Sequence, residues 1–265
     1  MNRLCLILLG LAGCADTGDE GFVIRNNVAP SQDACTFMPS TSSPFVPRGT
    51  LSTRSPSAYV LAPLIESRIT AVMGQESLRT VSLMGAKIDL AIGPVTVEDA
   101  TGKVTFSCAA EGANECFAEA ERVTLAEAGV TKFRSLFSAP LAPNGGLTTA
   151  VFDLVPKAAV REIERKVGTI PDGGRLEAQV VATATVYGRL GGAEVEGLPY
   201  VYPVTVCGGG GGGPDCVVNI VGACGSTPAD FDPRPGNPCN PFQDGVVDCC
   251  TSGTGLVCPA VGTAP

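Results

Sequence analysis

The stretch Leu176-Glu-Ala-Gln-Val-Val-Ala-Thr-Ala-Thr-Val-Tyr-Gly-Arg-Leu190 decides the fold. In an extended chain Leu176, Ala178, Val180, Ala182, Ala184, Val186 and Leu190 share one face, and Glu177, Gln179, Thr183, Thr185, Tyr187 and Arg189 share the other. Successive side chains of a strand point to opposite sides of a sheet. This alternation therefore predicts a strand with one face in a core and the other toward water. Gly191-Gly192 then turns the chain, because glycine accepts the positive φ of tight hairpin turns. A return strand follows and ends in Tyr200-Val-Tyr-Pro-Val-Thr-Val206. Pro203 has no N–H for a ladder, which predicts a sheet edge there.

Upstream, Val81-Ser-Leu83 and Ile88-Asp-Leu-Ala-Ile92 alternate in the same way, but their phases differ by one residue across Gly85. A β-bulge at that glycine explains the slip. Residues 103–108 and 147–155 read as further strands. Residues 156–167 read as a helix, with Pro156 in the first turn, Ala159, Ile163 and Val167 on one stripe, and Gly168 as terminator. Residues 116–137 fit helix and strand equally. The pattern predicts a mainly β protein: an antiparallel β-sandwich with one short helix over residues 58–207. Residues 14–57, rich in Ser, Thr, Pro and Gly, read as a flexible tether, and 208–215, with six consecutive glycines, as a linker. Residues 216–265 change character to dense Cys, Pro, Gly and Asp, which predicts a small, mostly irregular region held by disulfides.

The amino end carries Asn2-Arg3, a short apolar run over residues 4–11, and Leu11-Ala12-Gly13-Cys14. The run is too short for a membrane span, which needs roughly 20 apolar residues. It fits the core of a cleaved export signal. The four residues ending in Cys14 resemble the lipobox of bacterial lipoproteins. That resemblance implies cleavage after residue 13, diacylglycerol on the Cys14 sulfur and a fatty acyl chain such as palmitate on its new amine. Ala15, not Asp, follows Cys14, which by the family's sorting rule implies the outer membrane. The layout is also similar to that of cysteine-rich envelope lipoproteins of Gram-negative bacteria.

Twelve cysteines are present. Cys5 leaves with the signal and Cys14 takes lipid. The even remainder is Cys35, Cys108, Cys116, Cys207, Cys216, Cys224, Cys239, Cys249, Cys250 and Cys258, which in an exported chain predicts five disulfides. Cys108 and Cys116 would clip the hairpin between them, and Cys207 would pair with Cys35 or Cys216. Adjacent Cys249 and Cys250 point apart and need different partners. Without a CxxC pair, zinc is the weaker reading.

The mature chain keeps 17 of the 18 basic residues against 26 acidic ones, a net charge of −9. Such an acidic chain without basic clusters is a poor match for nucleic acid. There is no His and no Trp. Lacking His, a G-x-S-x-G elbow and a Ser-x-x-Lys pair, the sequence shows neither scheme for activating a hydroxyl, and no phosphate loop is present. Glu194 and Glu196 share a strand face, read as solvated rather than as a glycosidase pair. Asp230, Asp232, Asp244 and Asp248 lack the spacing of a calcium loop. Tyr200 and Tyr202 read as core before binding face. The expectation is a non-enzymatic envelope protein without cofactor or metal. A lipid anchor ties it to the membrane, and its partner is an envelope protein or polysaccharide. A lipid-anchored inhibitor or ligand-recognition module working through the disulfide-rich tail is the alternative.

Overall fold

The computed structural model describes residues 21–31, 34–226, 231–253 and 255–259. The first strands are β1 (Phe22–Asn27), β2 (Gly49–Ser52), β3 (Tyr59–Leu61) and β4 (Pro63–Ser67), followed by the 18-residue β5 (Val81–Glu98). Then come β6 (Val104–Cys108), α1 (Glu119–Glu127), β7 (Lys132–Leu141), β8 (Leu147–Thr149), β9 (Phe152–Val155) and α2 (Lys157–Val167). The decisive stretch is β10 (Arg175–Leu190). It continues through β11 (Ala193–Glu196) into β12 (Tyr200–Gly209), and the carboxyl region forms β13 (Val218–Ala223), β14 (Val247–Ser252) and β15 (Gly255–Val257).

One seven-stranded sheet runs β2-β12-β10-β5-β6, with β11 on β10 and β7 on β5. Two smaller sheets, β1-β4-β8 and β3-β9, and α2 lie over its inner face. Leu176, Ala178, Val180, Ala182, Ala184 and Val186 point into the core, as the alternation predicts. They meet Leu83, Ile88 and Leu90 of β5, Phe22, Leu61 and Ile65 of the small sheets, and Ala159, Val160 and Ile163 of α2. The slip at Gly85 is a bulge: Tyr187 pairs with Gly85 and Gly188 with Leu83, leaving Met84 over. A second bulge sets Gly93 and Pro94 against Gln179 alone. Pro203 faces β10 on one side, and the β2 pairing on the other begins only at Val204.

The fold departs from the expectation at several places. Among the described residues there are two α-helices, since the ambiguous 116–137 region resolves into α1 and then β7. Two pairings, β12 with β2 and β13 with β14, are parallel. Residues 22–27 and 49–52 are sheet strands, so the tether reading fails from Phe22 onward; Cys14 and its signal lie outside the described residues. The composition average over 15–57 hid one short apolar run, Phe22-Val-Ile24, and a segment, Gly49–Ser52, that pairs with β12 despite its polar composition. The glycine run is no free linker either. Gly210 donates to the Gly174 carbonyl (2.9 Å), and a Cβ there would lie 1.9 Å from the Pro171 carbonyl oxygen. Glycine is required because two backbones touch. Asp215 fastens the segment by accepting from Ser52 Oγ (2.6 Å) and from the amides of Val217 and Val218 (2.8 and 2.7 Å).

All ten cysteines pair, as Cys35–Cys239, Cys108–Cys116, Cys207–Cys216, Cys224–Cys250 and Cys249–Cys258. The hairpin clip is present, Cys207 takes Cys216, and the adjacent pair diverges. Cross-linking removes loop-closure entropy from the unfolded chain in proportion to the logarithm of loop length. The 204-residue separation of Cys35–Cys239 is thus worth about 5 kcal/mol, and the 8-residue clip about half of that. Replacing Cys35 and Cys239 by Ser should therefore lower unfolding stability by about twice as much as replacing Cys108 and Cys116. Urea unfolding of the two double variants checks the ratio, and equal losses would contradict it.

Candidate functional site

The carboxylates noted in the sequence do not converge. Glu196 pairs with Lys87 while Glu194 stays exposed beside it, a solvated strand face. Asp248 accepts two bonds from the Arg234 guanidinium and one from Asn219 Nδ2, which hold its carboxyl well below the usual carboxylate range, the arginine most strongly. Asp232 is exposed, and Asp230 lies outside the described residues. Among the described residues, one group of potential metal ligands comes together: Cys207, Asp215 and Cys216. Its two sulfurs are bonded to each other and hold no thiolate pair for an ion.

Two features do assemble. The first is a buried polar centre linking four distant segments. Tyr202 on β12 is fully buried, with Tyr200 stacked on it, and its hydroxyl lies 3.0 Å from that of Tyr59 on β3. Asn27 on β1 donates to both hydroxyls (3.0 and 3.3 Å) and accepts the Ala62 amide. Tyr59 donates to Asp244 Oδ2 (2.7 Å), and the Thr50 amide donates to Asp244 Oδ1 (2.7 Å). Next to it, Gln243 closes two bonds with the Val60 backbone. The tail segment 237–244 is thereby sewn into the β body. Burial pushes the Asp244 carboxyl up to about 6, against the lowering effect of the Tyr59 hydroxyl and the Thr50 amide. Tyr59 is driven well above its ordinary value by the same burial and by the neighbouring carboxylate. Sequence reading placed Tyr202 in the core. It names Asp244 only among scattered carboxylates, because the Tyr59 that bonds it stands 185 residues away.

The second feature is a groove of about 540 Å³ between α1 and β5. Leu90 and Ile92 form its floor, Val123 and Ala126 of α1 one wall, and Phe117 its end. The Cys108–Cys116 clip fixes the loop carrying Phe117, and Arg122 braces it through Glu115 (2.7 Å) and the Phe117 carbonyl (3.1 Å). Helix α1 is tied to α2 through Glu121, which accepts from Arg165 and Lys166 (2.7 and 3.0 Å); these bonds hold its carboxyl below its ordinary value. Asp89, Glu111, Glu119 and Glu127 stand on the rim against Arg122 and Lys132. An apolar floor under an acidic rim can seat an amphipathic ligand. No family model matches the chain, and no curated protein or solved structure matches it either.

Asp244 generates a pH prediction. The folded carboxyl holds its proton more tightly than the unfolded one, so folding loses stability as pH rises from about 4 to about 6. The loss is on the order of 2–3 kcal/mol and is complete above that window. Asp248 and Glu121, whose values are depressed, act in the opposite sense and at lower pH. Asp244→Asn removes the charge and keeps the shape with one acceptor oxygen in the same place. Its urea midpoint should change less between pH 4.5 and 7 than that of the unaltered chain. Parallel profiles would contradict the assignment.

Proposed function

We propose that this chain is a non-enzymatic lipoprotein of the bacterial outer membrane. In this reading acylated Cys14 holds it there, and its β body binds another envelope component through the groove beside α1. The observation that carries the reading is the sulfur inventory. Every cysteine after Cys14 is engaged in a disulfide, which leaves Cys14 as the odd sulfur of the mature chain, at the end of a lipobox. Five disulfides in one chain suit an oxidising compartment outside the cytoplasm. An odd cysteine in such a chain calls for a separate chemical use, and thioether formation supplies one. Among the described residues no helix is long and apolar enough to cross a membrane, so attachment by acyl chains fits the body.

An amphipathic protein segment suits the groove better than a polysaccharide, because its floor is aliphatic and Phe117 is the one aromatic side chain lining it. The alternative of a tail acting as an inhibitor loop is disfavoured by packing. Asn237, Asn240 and Gln243 are buried, and segment 237–244 faces the body rather than solvent.

In cells fed labelled palmitate, the unaltered chain should take up label and stay with the membrane fraction until detergent is added. Cys14→Ala should be unlabelled and aqueous. An unlabelled wild-type protein in the aqueous fraction would overturn the anchor. For the groove, crosslinking on intact cells should recover an envelope neighbour that is lost with Val123→Asp, while Leu136→Asp on the outer sheet face retains it.

A further inference from the structure

The described chain begins at Gly21, whose carbonyl accepts the Arg68 amide (3.1 Å) and which packs beside Ile69. Just beyond, the loop between β4 and β5 exposes Val72 (72 %), Met73 (90 %) and Leu78 (72 %). Among the described residues these are three of the four most exposed large apolar side chains, with Leu136 at 75 %. The exposure is built in. Asn144 grips Ala71 through both its N–H (2.8 Å) and its carbonyl (3.1 Å), and the Asn144 amide reaches the Ile69 carbonyl (2.7 Å). Gln75 and Leu78 make backbone turns to Val72 and Gln75 (3.0 and 3.1 Å). Glu76 turns its carboxylate back onto the Gly74 amide (2.9 Å). Three large apolar side chains exposed within seven residues of one loop form a segment that gains from leaving water.

Six residues stand between Cys14 and Gly21, a span of seven residue steps. A fully extended chain spans at most about 3.3–3.6 Å per residue, so about 25 Å is the farthest Gly21 can stand from Cys14. Whatever bilayer holds Cys14 therefore lies within reach of this end of the body. The turns neighbouring the loop read Ala142-Pro-Asn-Gly-Gly146 and Gly191-Gly192, and within the loop Glu76 offsets Arg79. The tether adds Asp16, Asp19 and Glu20 and Arg68 precedes the loop, so a contact here is carried by the apolar side chains and the short reach from Cys14, not by charge.

We propose that the 70–79 loop inserts Val72, Met73 and Leu78 into the lipid interface as a second membrane contact, fixing the orientation of the body. The proposal rests on the anchoring of Cys14 put forward above. The partner is a phospholipid surface.

The chain contains neither Trp nor His, so both a fluorescent probe and an artificial tether can be introduced without background. Six histidines in place of residues 1–14 would hold the chain on vesicles of phosphatidylethanolamine and phosphatidylglycerol containing a nickel-chelating lipid. On these vesicles the emission of Met73→Trp should shift to the blue and be lost when brominated lipid is included. Leu136→Trp, equally exposed on the outer sheet face, should keep its aqueous emission. Absence of quenching at position 73 on vesicle-bound protein would overturn the loop contact whether or not Cys14 is acylated in cells. Equal quenching at both positions would overturn it too, as indiscriminate adsorption. In the absence of nickel, Met73→Asp should lower partition of the same chain onto these vesicles by about tenfold, the equivalent of one lost large apolar contact.

Discussion

The antiparallel pairing of β10 with β5 is the constraint on which the rest of the structure depends. The two strands stay in register from Arg175 against Glu98 to Arg189 against Ser82, interrupted only by the two bulges. On the inner face β10 offers mainly alanine and valine, which leaves room for Leu83, Ile88 and Leu90 from β5 and for the aromatic and branched side chains of the covering sheets. An 18-residue strand at about 3.3 Å per residue is much longer than the mean strand of globular proteins. The bulges answer that problem. Each sets two residues against one, which bends and twists the ladder. The curled sheet can then accept β7 at one end of β5 and β6 at the other.

Local chemistry determined how much of this was legible in the sequence. The inward face of β10, the slip at Gly85 and the helix stopped by Gly168 each follow from a rule that acts within a few residues, whereas the strand carrying Pro203 is not an edge, because β2 pairs with it from Val204 onward. Tyr187 was assigned to the wet face, yet it is buried, because Lys87 and Arg134 lie over its ring. Such a cover depends on neighbouring strands and leaves no trace in β10 itself. The misread segments share another property. Residues 22–27 and 49–52 are strands because an edge is waiting for them, and the glycine run is ordered because Gly208 and Gly209 pair with β10 and Gly210 packs on Pro171. In the groove, α1 and the clipped loop are adjacent to β5 through long-range pairing, so the Cys108–Cys116 clip was readable and the cavity was not.

The buried polar centre shows what joins the cysteine-rich tail to the body. A region with so few long apolar side chains cannot dock through hydrophobic area alone. It docks through paired hydrogen bonds in a low-dielectric setting, where a missing partner is costly and a satisfied one is specific. Asn27, Tyr59, Tyr202 and Asp244 satisfy one another across four separate segments, so no other register of the tail leaves all of them partnered. The raised Asp244 carboxyl is the cost of that arrangement, and the Cys35–Cys239 bridge, with Cys239 only five residues before Asp244, offsets it by keeping the tail near its socket.

Geometry along β5 also relates the two proposed surfaces. Val81 stands at the loop end of the strand and Leu90 on the groove floor, nine residues further on. At about 3.3 Å per residue this separation amounts to roughly 30 Å of strand, shortened by the bulge between them. A body resting on its 70–79 loop would therefore hold the groove well clear of lipid headgroups. The rim charges favour the same orientation. Four carboxylates face two basic groups around the groove, and within a Debye length of about 8 Å an anionic surface would repel them. In the proposed arrangement apolar side chains would draw one end of the molecule toward the bilayer and excess acidity would keep the groove away from it. On the proposed anchoring, the two effects together would select a single standing orientation, with the groove open to the aqueous space.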